Sequence, residues 1–502
     1  MICILKLSFF FVALCQIKDI IMGKDLTFGS VCSGIEASQL AFSPYGFKQL
    51  WSSEIAEFPS KVLEHHFPDI PNVGDMINIP NSILNREFEA PDIFCGGTPC
   101  QAFSLAGWKN GLADERGQLT MTFIEIANAI DKIRLEDGKE KSIVLWENVE
   151  GVLNDRTNAF GNFIAGLAGF GEEIKIGKWT KSGYLEGKDR NVAWRVIDAK
   201  YFGLPHQRKR LYVLAGGKGF KPDQVLFEFD KKDIVKEIKL QAKKSVSNMP
   251  DLFSSNLPEE KTENVFHKGG SKFQVFREYT DCLYAAYGTK WNGNAAAYNG
   301  SLYVAENDKI RRFTPLECER LMGFPDNYTK VNGNSDTNRF QAIGNSWAVP
   351  VVKWIASKIS EFMDKKTKNE INEWQKAVQP KKNNKNALLY LLEGTNQINR
   401  TEFLNSSNIP NNPIYGDLKD IVEPNHALDK FYLSAKACAG ILRRKEERNM
   451  KMNSELEYLM TIISKGENKN NTKEKKESQH VTSVLQNGGL STSMTVYHKV
   501  QV

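Results

Sequence analysis

No run of about 18 consecutive apolar residues occurs in this chain of 502 residues, so nothing in it predicts a membrane-spanning helix. A GxGxxG motif and a P-loop are also missing, which argues against a dinucleotide or a nucleoside triphosphate as the ligand. Neither sign of charge dominates, because 66 Lys and Arg residues stand against 60 Asp and Glu residues, a net charge of +6. This small excess is compatible with a polyanionic partner but does not require one.

Cysteine is also scarce, with eight residues in so long a chain, and this excludes a disulfide framework. Cys95 and Cys100 are separated by four residues and have no companion CxxC or HxxxH pair. We therefore predict no metal site and no thiol redox motif. The cysteine usage favours a reducing setting, and we expect a cytoplasmic protein.

The first twenty residues lack a small-x-small cleavage site, although Lys6 precedes an apolar run as it does in a signal peptide. That run, from Leu7 to Leu14, is too short to span a membrane. Met22 then opens "MGKDLTFGS", which is typical of a cytosolic start. We interpret residues 1–24 as an extension and not as a secretion signal.

What the sequence does contain is an alternation of apolar runs and helical patterns. It is clearest in "QLTMTFIEIANAIDKIR", where Leu119, Phe123, Ile126 and Ile130 share one helical face. The alternation predicts an α/β fold with a doubly wound, mostly parallel sheet, whose ligands bind at the carboxyl ends of the strands. Strands are predicted in "LTFGSVC", "FKQLWSSE", "PDIFCGG", "KSIVLWENV", "VAWRVIDAKYFG" and "KRLYVLAGG".

The composition changes along the chain and predicts several regions. After the α/β region come a smaller irregular domain, a return to helical pattern, a Lys- and Asn-rich linker, a small helical unit with a basic face, and a disordered tail. In the helical unit, Ser434 is the expected N-cap of a helix from Ala435 to Arg448. The predicted bounds of these six regions are 25–215, 216–310, 311–364, 365–430, 431–462 and 463–502.

Polar residues follow three successive predicted strands. Ser33 and Gly34 lie in a turn that exposes backbone N–H groups to a ligand. Glu54 follows the next strand, where a carboxylate accepts hydrogen bonds from a ribose diol, and Asp75 follows a third short run. Each residue also has a plain structural reading, as a turn former or a solvated acid. Together they favour a nucleoside cofactor.

The stretch "FCGGTPCQAFS" places a thiol, Cys100, in a turn after a strand and before a helix. Such a position lowers a thiol pKa and suits a nucleophile, and Pro99 fixes the backbone just before it. Glu147 ends another strand in "VLWENVEG", where it can protonate or hydrogen-bond a substrate ring. A buried structural thiol and a helix N-terminal acid remain the alternative interpretations.

Two arginines alternate in "LPHQRKRLYV". On an extended segment, Arg208 and Arg210 point to the same side and are able to bind a base carbonyl or phosphates. A solvated basic edge strand is the alternative.

Taken in order, these stretches resemble the cytosine-5 DNA methyltransferases over roughly residues 25–360. "GGTPCQAFS" resembles that family's Pro-Cys loop, and "WENV" its Glu-Asn-Val block. Its other blocks are similar to "DERGQL", "HQRKR", "RRFTPLECERLMGFP" and "QAIGNSWAVP". Three positions depart from the family: "CSGIE" replaces Phe-x-Gly-x-Gly, His206 replaces the first Gln of Gln-x-Arg-x-Arg, and Trp347 replaces a Val.

The resemblance implies a Rossmann-like methyltransferase that uses S-adenosylmethionine to methylate carbon 5 of a flipped cytosine in double-stranded DNA, as in restriction–modification systems. Cys100 would attack carbon 6, Glu147 would engage the ring, and Arg208 and Arg210 would hold the base and the catalytic loop. The cofactor pocket would comprise Ser33, Gly34, Ile35, Glu54, Asp75, Pro99, Asn345 and Ser346.

The resemblance further implies that residues 216–310 recognise the DNA target. Tyr287, Trp291, Asn292 and Asn294 are candidates to read bases, with loop packing as the alternative. We expect a monomer that does not bind membranes. A tRNA cytosine methyltransferase and a catalytically inactive DNA-binding module are the competing interpretations.

Overall fold

Short apolar runs form the strands of this protein, and their bounds come from a computed structural model. The structure describes residues 25–98, 115–234, 236–240, 264–288, 295–332, 335–364, 373–424 and 428–466. The strands are β1 Thr27–Val31, β2 Lys48–Ser53, β3 Ile93–Gly96, β4 Ile143–Val149, β5 Ser182–Leu185, β6 Asn191–Asp198, β7 Lys209–Gly216, β8 Glu228–Asp230, β9 Val265–Lys268, β10 Ser271–Val275, β11 Tyr303–Glu306, β12 Lys309–Arg312, β13 Leu389–Leu392, β14 Thr395–Gln397 and β15 Phe403–Asn405.

The helices alternate with these strands in the first half of the chain. The α-helices are α1 Ala37–Phe42, α2 Glu57–His66, α3 Ile79–Leu84, α4 Glu115–Glu136, α5 Ala159–Leu167, α6 Pro222–Leu226, α7 Ala295–Asn299, α8 Pro315–Met322, α9 Asp336–Asn345, α10 Val349–Asp364, α11 Glu373–Ala377, α12 Leu418–Ile421, α13 Ala435–Glu447 and α14 Ser454–Ser464. Short 3-10 helices lie at Ser43–Tyr45, Met76–Asn78, Glu150–Asn154, Ala199–Tyr201, Ala285–Gly288 and Asp429–Phe431.

The described residues divide into two units. The first unit contains those within Met1–Thr262, Glu278–Trp291 and Thr314–Glu423. The second contains those within Glu263–Arg277, Asn292–Phe313 and Pro424–Val502. Residues of the predicted irregular domain, 216–310, therefore occur in both units, and the predicted domain bounds stay a prediction. None of the described helices is both long and apolar enough to cross a membrane.

The first unit is built on an eight-stranded sheet in the order β13-β5-β6-β7-β4-β3-β1-β2. The half from β2 to β4 is parallel, whereas β7, β6, β5 and β13 pair antiparallel with their neighbours. Six strands share one direction, and β5 and β7 run the opposite way. The predicted α/β fold is confirmed, with a sheet that is mixed in its pairing.

The apolar face of α4 explains how this sheet is covered. Phe123, Ile126 and Ile130, which the sequence places on one helical face, are all fully buried, and Leu119 packs at the margin of the same core. The strands β3 and β4 beneath are buried on almost every residue, as expected of strands with helices on both faces. This packing fixes the strand ends on which the candidate site depends.

The linker prediction for residues 365–430 is wrong for its described part. Strand β13 pairs with β5 at the edge of the main sheet, and both Leu389 and Leu392 are fully buried. Trp374 of α11 is 1% exposed and donates a hydrogen bond to Asp223 Oδ2 at 3.0 Å. The Lys and Asn residues that flank these elements dominate the composition of the region. A four-residue strand is too short to change that average.

In the second unit, β9 to β12 form an antiparallel sheet in the order β12-β11-β10-β9. In the described part of residues 285–307, the stretch predicted to be strand-like, Ala285–Gly288 and Ala295–Asn299 are helical and β11 is a strand. Helix α13 confirms the predicted C-terminal helix, and the Ser434 hydroxyl caps it by accepting from the N–H of Ala437 at 3.2 Å. Chain positions 467–502, predicted to be disordered, lie outside the described residues.

Replacement of Trp374 tests the place of this segment in the first unit. We expect Trp374→Ala to lower the free energy of unfolding by about 3–5 kcal/mol, because a large buried ring and its hydrogen bond are removed. Trp374→Phe is the matched control, with a smaller loss since most of the apolar contact remains. Urea unfolding followed by circular dichroism measures both. An alanine variant as stable as the wild-type chain would restore the linker interpretation.

Candidate active site

A cleft of about 770 Å³ opens in the first unit where several strands end. Its walls come from the turn after β1, the residues after β2, the end of β3, the end of β4 and the start of β7. Because β7 is antiparallel to β4, its first residues lie beside the last residues of β4, with Arg210 paired to Val149. The volume suits a small-molecule site. The lining residues are Cys32, Gly34, Glu54, Ala56, Glu57, Phe58, Pro59, Lys61, Gly97, Thr98, Glu147, Asn148, Val149, Arg208, Arg210, Asn338, Gln341, Ala342, Gly344 and Asn345.

Glu147 is the buried acid of this cleft. Its carboxylate lies in an ion pair with Arg210, with 3.1 Å between Oε1 and Nε. Burial raises the pKa of Glu147, while the charges of Arg210 and Arg208 and a hydrogen bond from the Trp347 indole oppose that rise. The raised pKa means that the carboxyl group takes up a proton more readily than an exposed glutamate does.

Arg208 serves a different purpose, since its guanidinium is directed into the protein. It donates to the carbonyls of Leu283, Gly344 and Ser346 at 3.2, 3.2 and 2.6 Å. It also donates to the Sγ atom of Cys282 at 3.4 Å. Arg208 is 2% exposed. Behind the cleft, its hydrogen bonds join the segment at Leu283 to the segment at Gly344 and Ser346, which is distant in the chain. Its part in base binding stays a prediction.

The chain that leads toward the predicted nucleophile is fixed by β4. The Trp146 indole donates to Thr98 Oγ1 at 3.0 Å, and the Asn148 side-chain amide donates to the Thr98 carbonyl at 2.8 Å. At Gly97, an added Cβ would lie 3.3 Å from Glu147 Oε2 and 3.0 Å from Trp347 Nε1, so glycine suits this close approach. Pro99 and Cys100 themselves lie outside the described residues, as do Trp291, Asn292 and Asn294.

Two of the predicted cofactor residues face each other across the ends of β1 and β2. Glu54 Oε2 accepts a hydrogen bond from the N–H of Gly34 at 2.8 Å, and its Oε1 accepts one from Ala56 at 2.7 Å. Gly34 has a φ of +57°, and a Cβ added there would meet nothing within 4 Å. The turn is therefore open toward the cleft.

Asn345 also lines this cleft. Ser33 and Ser346 line a smaller neighbouring cavity of about 60 Å³, together with Glu147 and Trp347. The Ser33 hydroxyl lies 2.8 Å from the hydroxyl of Ser30 and accepts from the N–H of Ser53 at 3.0 Å. The roles of these residues in cofactor binding stay predictions.

Two predicted cofactor residues do not line either cavity formed by the described residues. The Ile35 side chain is fully buried, and its carbonyl accepts from the Tyr328 hydroxyl at 2.8 Å, because the left-handed Glu36 turns the chain into the core. Asp75 is exposed and caps a 3-10 helix through the N–H of Ile77. The roles of Ile35 and Asp75 in cofactor binding therefore stay predictions.

The sequence patterns did not identify several residues of the site. Phe58 lines the cleft from α2, which carries no motif for it, and Gln341 lines it from α9 as the first residue of "QAIGNSWAVP", where no role was predicted for it. Cys282 lies beside both arginines, with its Sγ 3.6 Å from Arg210 Nη2. No local signal identifies such contacts, since they join positions more than 70 residues apart.

His206, at the family's Gln position, is a structural residue. It is fully buried, with Nδ1 3.1 Å from the Leu321 carbonyl and Nε2 accepting from the N–H of Leu283 at 2.9 Å. Burial and the neighbouring Arg208 and Arg210 hold the pKa of His206 well below its usual range, so it is neutral.

The mixed sheet has its cleft at the carboxyl ends of its parallel strands, walled by strand-end acids, and this is the arrangement expected of a Rossmann-like methyltransferase. The chain matches the model of the C-5 cytosine-specific DNA methylases over residues 26–361. It belongs to that family, which confirms the predicted family and the enzyme class of DNA cytosine-5 methyltransferases.

Individual relatives share about a third or less of their aligned residues with this chain. The chain is 33% identical to the DNA N-6-adenine-methyltransferase of Escherichia phage P1, with 67% of this chain and 61% of the phage protein covered. It is 31% identical to the type II methyltransferase M1.ScrFI of Lactococcus lactis subsp. cremoris, covering 67% and 78%. It is 27% identical to the type II methyltransferase M.HhaI of Haemophilus parahaemolyticus, covering 70% and 98%.

Lysine variants of Arg208 and Arg210 distinguish a role in stability from a role in catalysis. We expect Arg208→Lys to lower the free energy of unfolding by about 2–4 kcal/mol, because an ammonium group does not reach four acceptors spread around a planar guanidinium. For Arg210→Lys we expect a change of about 1 kcal/mol or less but a tenfold to hundredfold lower kcat, since the pairing with Glu147 is altered. Thermal unfolding and steady-state kinetics measure both effects. Equal stability losses would contradict this division.

Trp347 provides a test of the electrostatics of Glu147. Its indole stabilises the ionised carboxylate, so Trp347→Phe raises the pKa of Glu147 further. If Glu147 acts in its protonated form, the fall of kcat/KM at high pH moves to higher pH in this variant. Trp354→Phe on α10 is the matched control and leaves the profile in place. A profile displaced to lower pH by Trp347→Phe would contradict this account of the site.

Proposed function

We propose that this protein transfers a methyl group from S-adenosylmethionine to carbon 5 of a flipped cytosine in double-stranded DNA through a covalent bond to Cys100. The observation that carries the proposal is the position of Glu147, which is buried, paired with Arg210 and 3.3 Å from the Cβ position of Gly97. Gly97 and Thr98 are the last described residues before the predicted nucleophile. The chain that leads to Cys100 therefore starts at the end of the sheet where Glu147 lies, and this supports a joint role for the acid and the thiol.

The cleft has the features that S-adenosylmethionine requires. Gly34 leaves room at the turn after β1, and Glu54 offers carboxylate oxygens at the end of β2. We propose that Glu54 holds the ribose hydroxyls and that Gly34, Ser33, Asn345 and Ser346 surround the rest of the molecule. When bound there, S-adenosylmethionine would supply an electrophilic methyl group, and the thioether S-adenosylhomocysteine would be the leaving group.

The residues of the chain divide the remaining work. The Cys100 thiolate forms a bond to carbon 6 of the cytosine, and the electron pair of the 5,6 double bond moves onto the ring. Glu147 holds a proton at ring nitrogen 3 and accepts a hydrogen bond from the exocyclic amine, which stabilises that charge. After carbon 5 is methylated, a base removes its proton, the double bond re-forms and the thiolate leaves. Arg210 keeps the Glu147 carboxyl group in position.

Reaction within a cleft requires that the target base leave the duplex, so we propose base flipping. Thr98, the last described residue before the predicted nucleophile, is fixed to β4 by two side-chain hydrogen bonds.

The name of the phage P1 relative raises a second candidate, transfer to the exocyclic amine of adenine. That reaction needs no thiol nucleophile, and the chain spans 61% of the phage protein. The Pro-Cys motif in the sequence and the buried Glu147, which lies close to Gly97, favour cytosine.

Product analysis tests the proposal. The full chain is incubated with S-adenosylmethionine labelled in the methyl group and with duplex DNA or transfer RNA, and the nucleosides are separated. We expect label in 5-methylcytosine from duplex DNA, and a decrease on the order of a thousandfold or more in Cys100→Ser. Cys318→Ala, in the core of α8, is the matched control and keeps its activity.

Three outcomes would contradict the proposal. Label in N6-methyladenine would support the adenine candidate, and label only in transfer RNA would support an RNA substrate. Product formation at the wild-type rate by Cys100→Ser would remove the covalent mechanism.

A further inference from the structure

Positive charge is concentrated in the second unit. Its described residues include 14 Lys and Arg against seven Asp and Glu, a net charge of +7. The whole chain of 502 residues carries only +6. A local excess of this kind is the electrostatic signature of a surface that meets a polyanion.

More than half of these cations come from the C-terminal segment 428–466, which follows the end of the family match at residue 361. This segment is not a separate module, since it is folded onto the four-stranded sheet. The N–H of Leu433 donates to the Ile310 carbonyl at 2.8 Å, so the segment continues along β12. Helix α14 also packs against β12.

One asparagine joins the segment to the rest of the unit in three ways. The Asn453 side chain caps α14 by accepting from Glu455 and Leu456, both at 3.1 Å. Its own N–H donates to the Tyr298 carbonyl at 2.9 Å, and its side-chain amide donates to the Phe276 carbonyl at 3.4 Å. The start of α14 is therefore fixed to two parts of the unit that lie between β10 and β11 in the chain.

A buried charge network joins the two parts as well. Arg311 of β12 is fully buried and pairs with Glu306 of β11 at 2.8 Å. The Tyr432 hydroxyl, from the C-terminal segment, donates to the same Glu306 oxygen at 2.9 Å. A buried ion pair is costly unless its remaining oxygen lone pairs are satisfied, so β11 and β12 depend on this contribution from the segment.

Helix α13 presents cations on the face that is not used for packing. Cys438 and Ile441 are buried on one side, where α13 contacts α14. Lys436 and Arg443 lie on the opposite side and are exposed. Seven residues make nearly two turns, so these two side chains share a face and start about 10.5 Å apart. Arg448, also exposed, follows the end of the helix.

Few of these exposed charges are used within the unit. Arg443 has an acidic neighbour, Glu447, at 3.5 Å, but both side chains are more than half exposed, and such a pair contributes little. Lys445, by contrast, pairs with Glu457 of α14 at 2.8 Å and belongs to the helix packing. The face with Lys436, Arg443 and Arg448 is therefore available to phosphate groups.

We propose that the second unit binds DNA, that residues 428–466 complete it, and that Lys436, Arg443 and Arg448 contact the DNA phosphate backbone. The inference rests on the proposed function, since it takes DNA as the substrate. It assigns to a C-terminal segment, beyond the part matched to the family, a direct share in holding that substrate. Contacts to phosphate position a protein on the duplex and add affinity without reading the sequence.

The salt dependence of DNA binding tests the proposal. The full-length chain with Lys436→Gln, Arg443→Gln and Arg448→Gln is compared with the wild-type chain by fluorescence anisotropy on a labelled duplex at several salt concentrations. Each lost phosphate contact lowers the slope of log Kd against log salt by about 0.9. We expect a slope lower by about 2–3, with kcat unchanged at saturating DNA.

Two further variants serve as controls. Lys48→Gln, Lys132→Gln and Lys139→Gln together remove the same charge from exposed positions of the first unit, and we expect the wild-type slope. The variant with Lys436→Arg, Arg443→Lys and Arg448→Lys keeps the charge on α13 and should keep the slope. Together they distinguish a local contact from a change in net charge or in folding.

The outcomes separate this inference from the proposed function. An unchanged slope in the α13 variant, or an equal decrease in the first-unit variant, would overturn the inference while methylation continues. Absence of DNA binding or of 5-methylcytosine with the wild-type chain would instead overturn the proposed function.

Discussion

The site depends on one interaction, the ion pair of Glu147 and Arg210 at the wall of the cleft. The antiparallel pairing of β4 with β7 makes it possible, because it places the start of one strand beside the end of the other. A buried carboxylate alone would be costly, and Arg210 offsets part of that cost while burial still raises the pKa of Glu147. Strand β4 also holds Thr98, and Arg208 directly precedes β7, so much of the cleft wall follows from this pairing.

Strands and helices are predicted correctly where the local sequence pattern is long enough to carry information. Strands β1 to β4, β6 and β7 are apolar runs bounded by turn residues, and α4 has a clear apolar face. Local patterns did not predict β5, whose four residues lie among polar neighbours, or β13, whose apolar run "ALLYLL" is short beside the Lys and Asn residues around it. Their strand character comes from pairing with each other and with β6, which no local window contains.

The same limit applies to the site. The motifs identified Glu147, Arg208 and Arg210 together, because a resemblance to a family orders distant residues along the chain. The different purposes of the two arginines were not predictable, since they depend on which acceptors lie behind the cleft. Trp347 is the clearest example. In the sequence it is a departure from the family, and in the structure its indole donates a hydrogen bond to the carboxyl group of Glu147.

The most direct test of the account is the rate at which a covalent adduct forms with duplex DNA that contains 5-fluorocytosine. The fluorine at carbon 5 is not removed as a proton is, so the bond to the enzyme persists after methylation. We expect mass spectrometry to place the adduct on the peptide that contains Cys100, with formation slowed about a hundredfold or more in Glu147→Gln. Adduct formation at equal rates in the wild-type chain and in Glu147→Gln would contradict the account, and so would attachment at another cysteine.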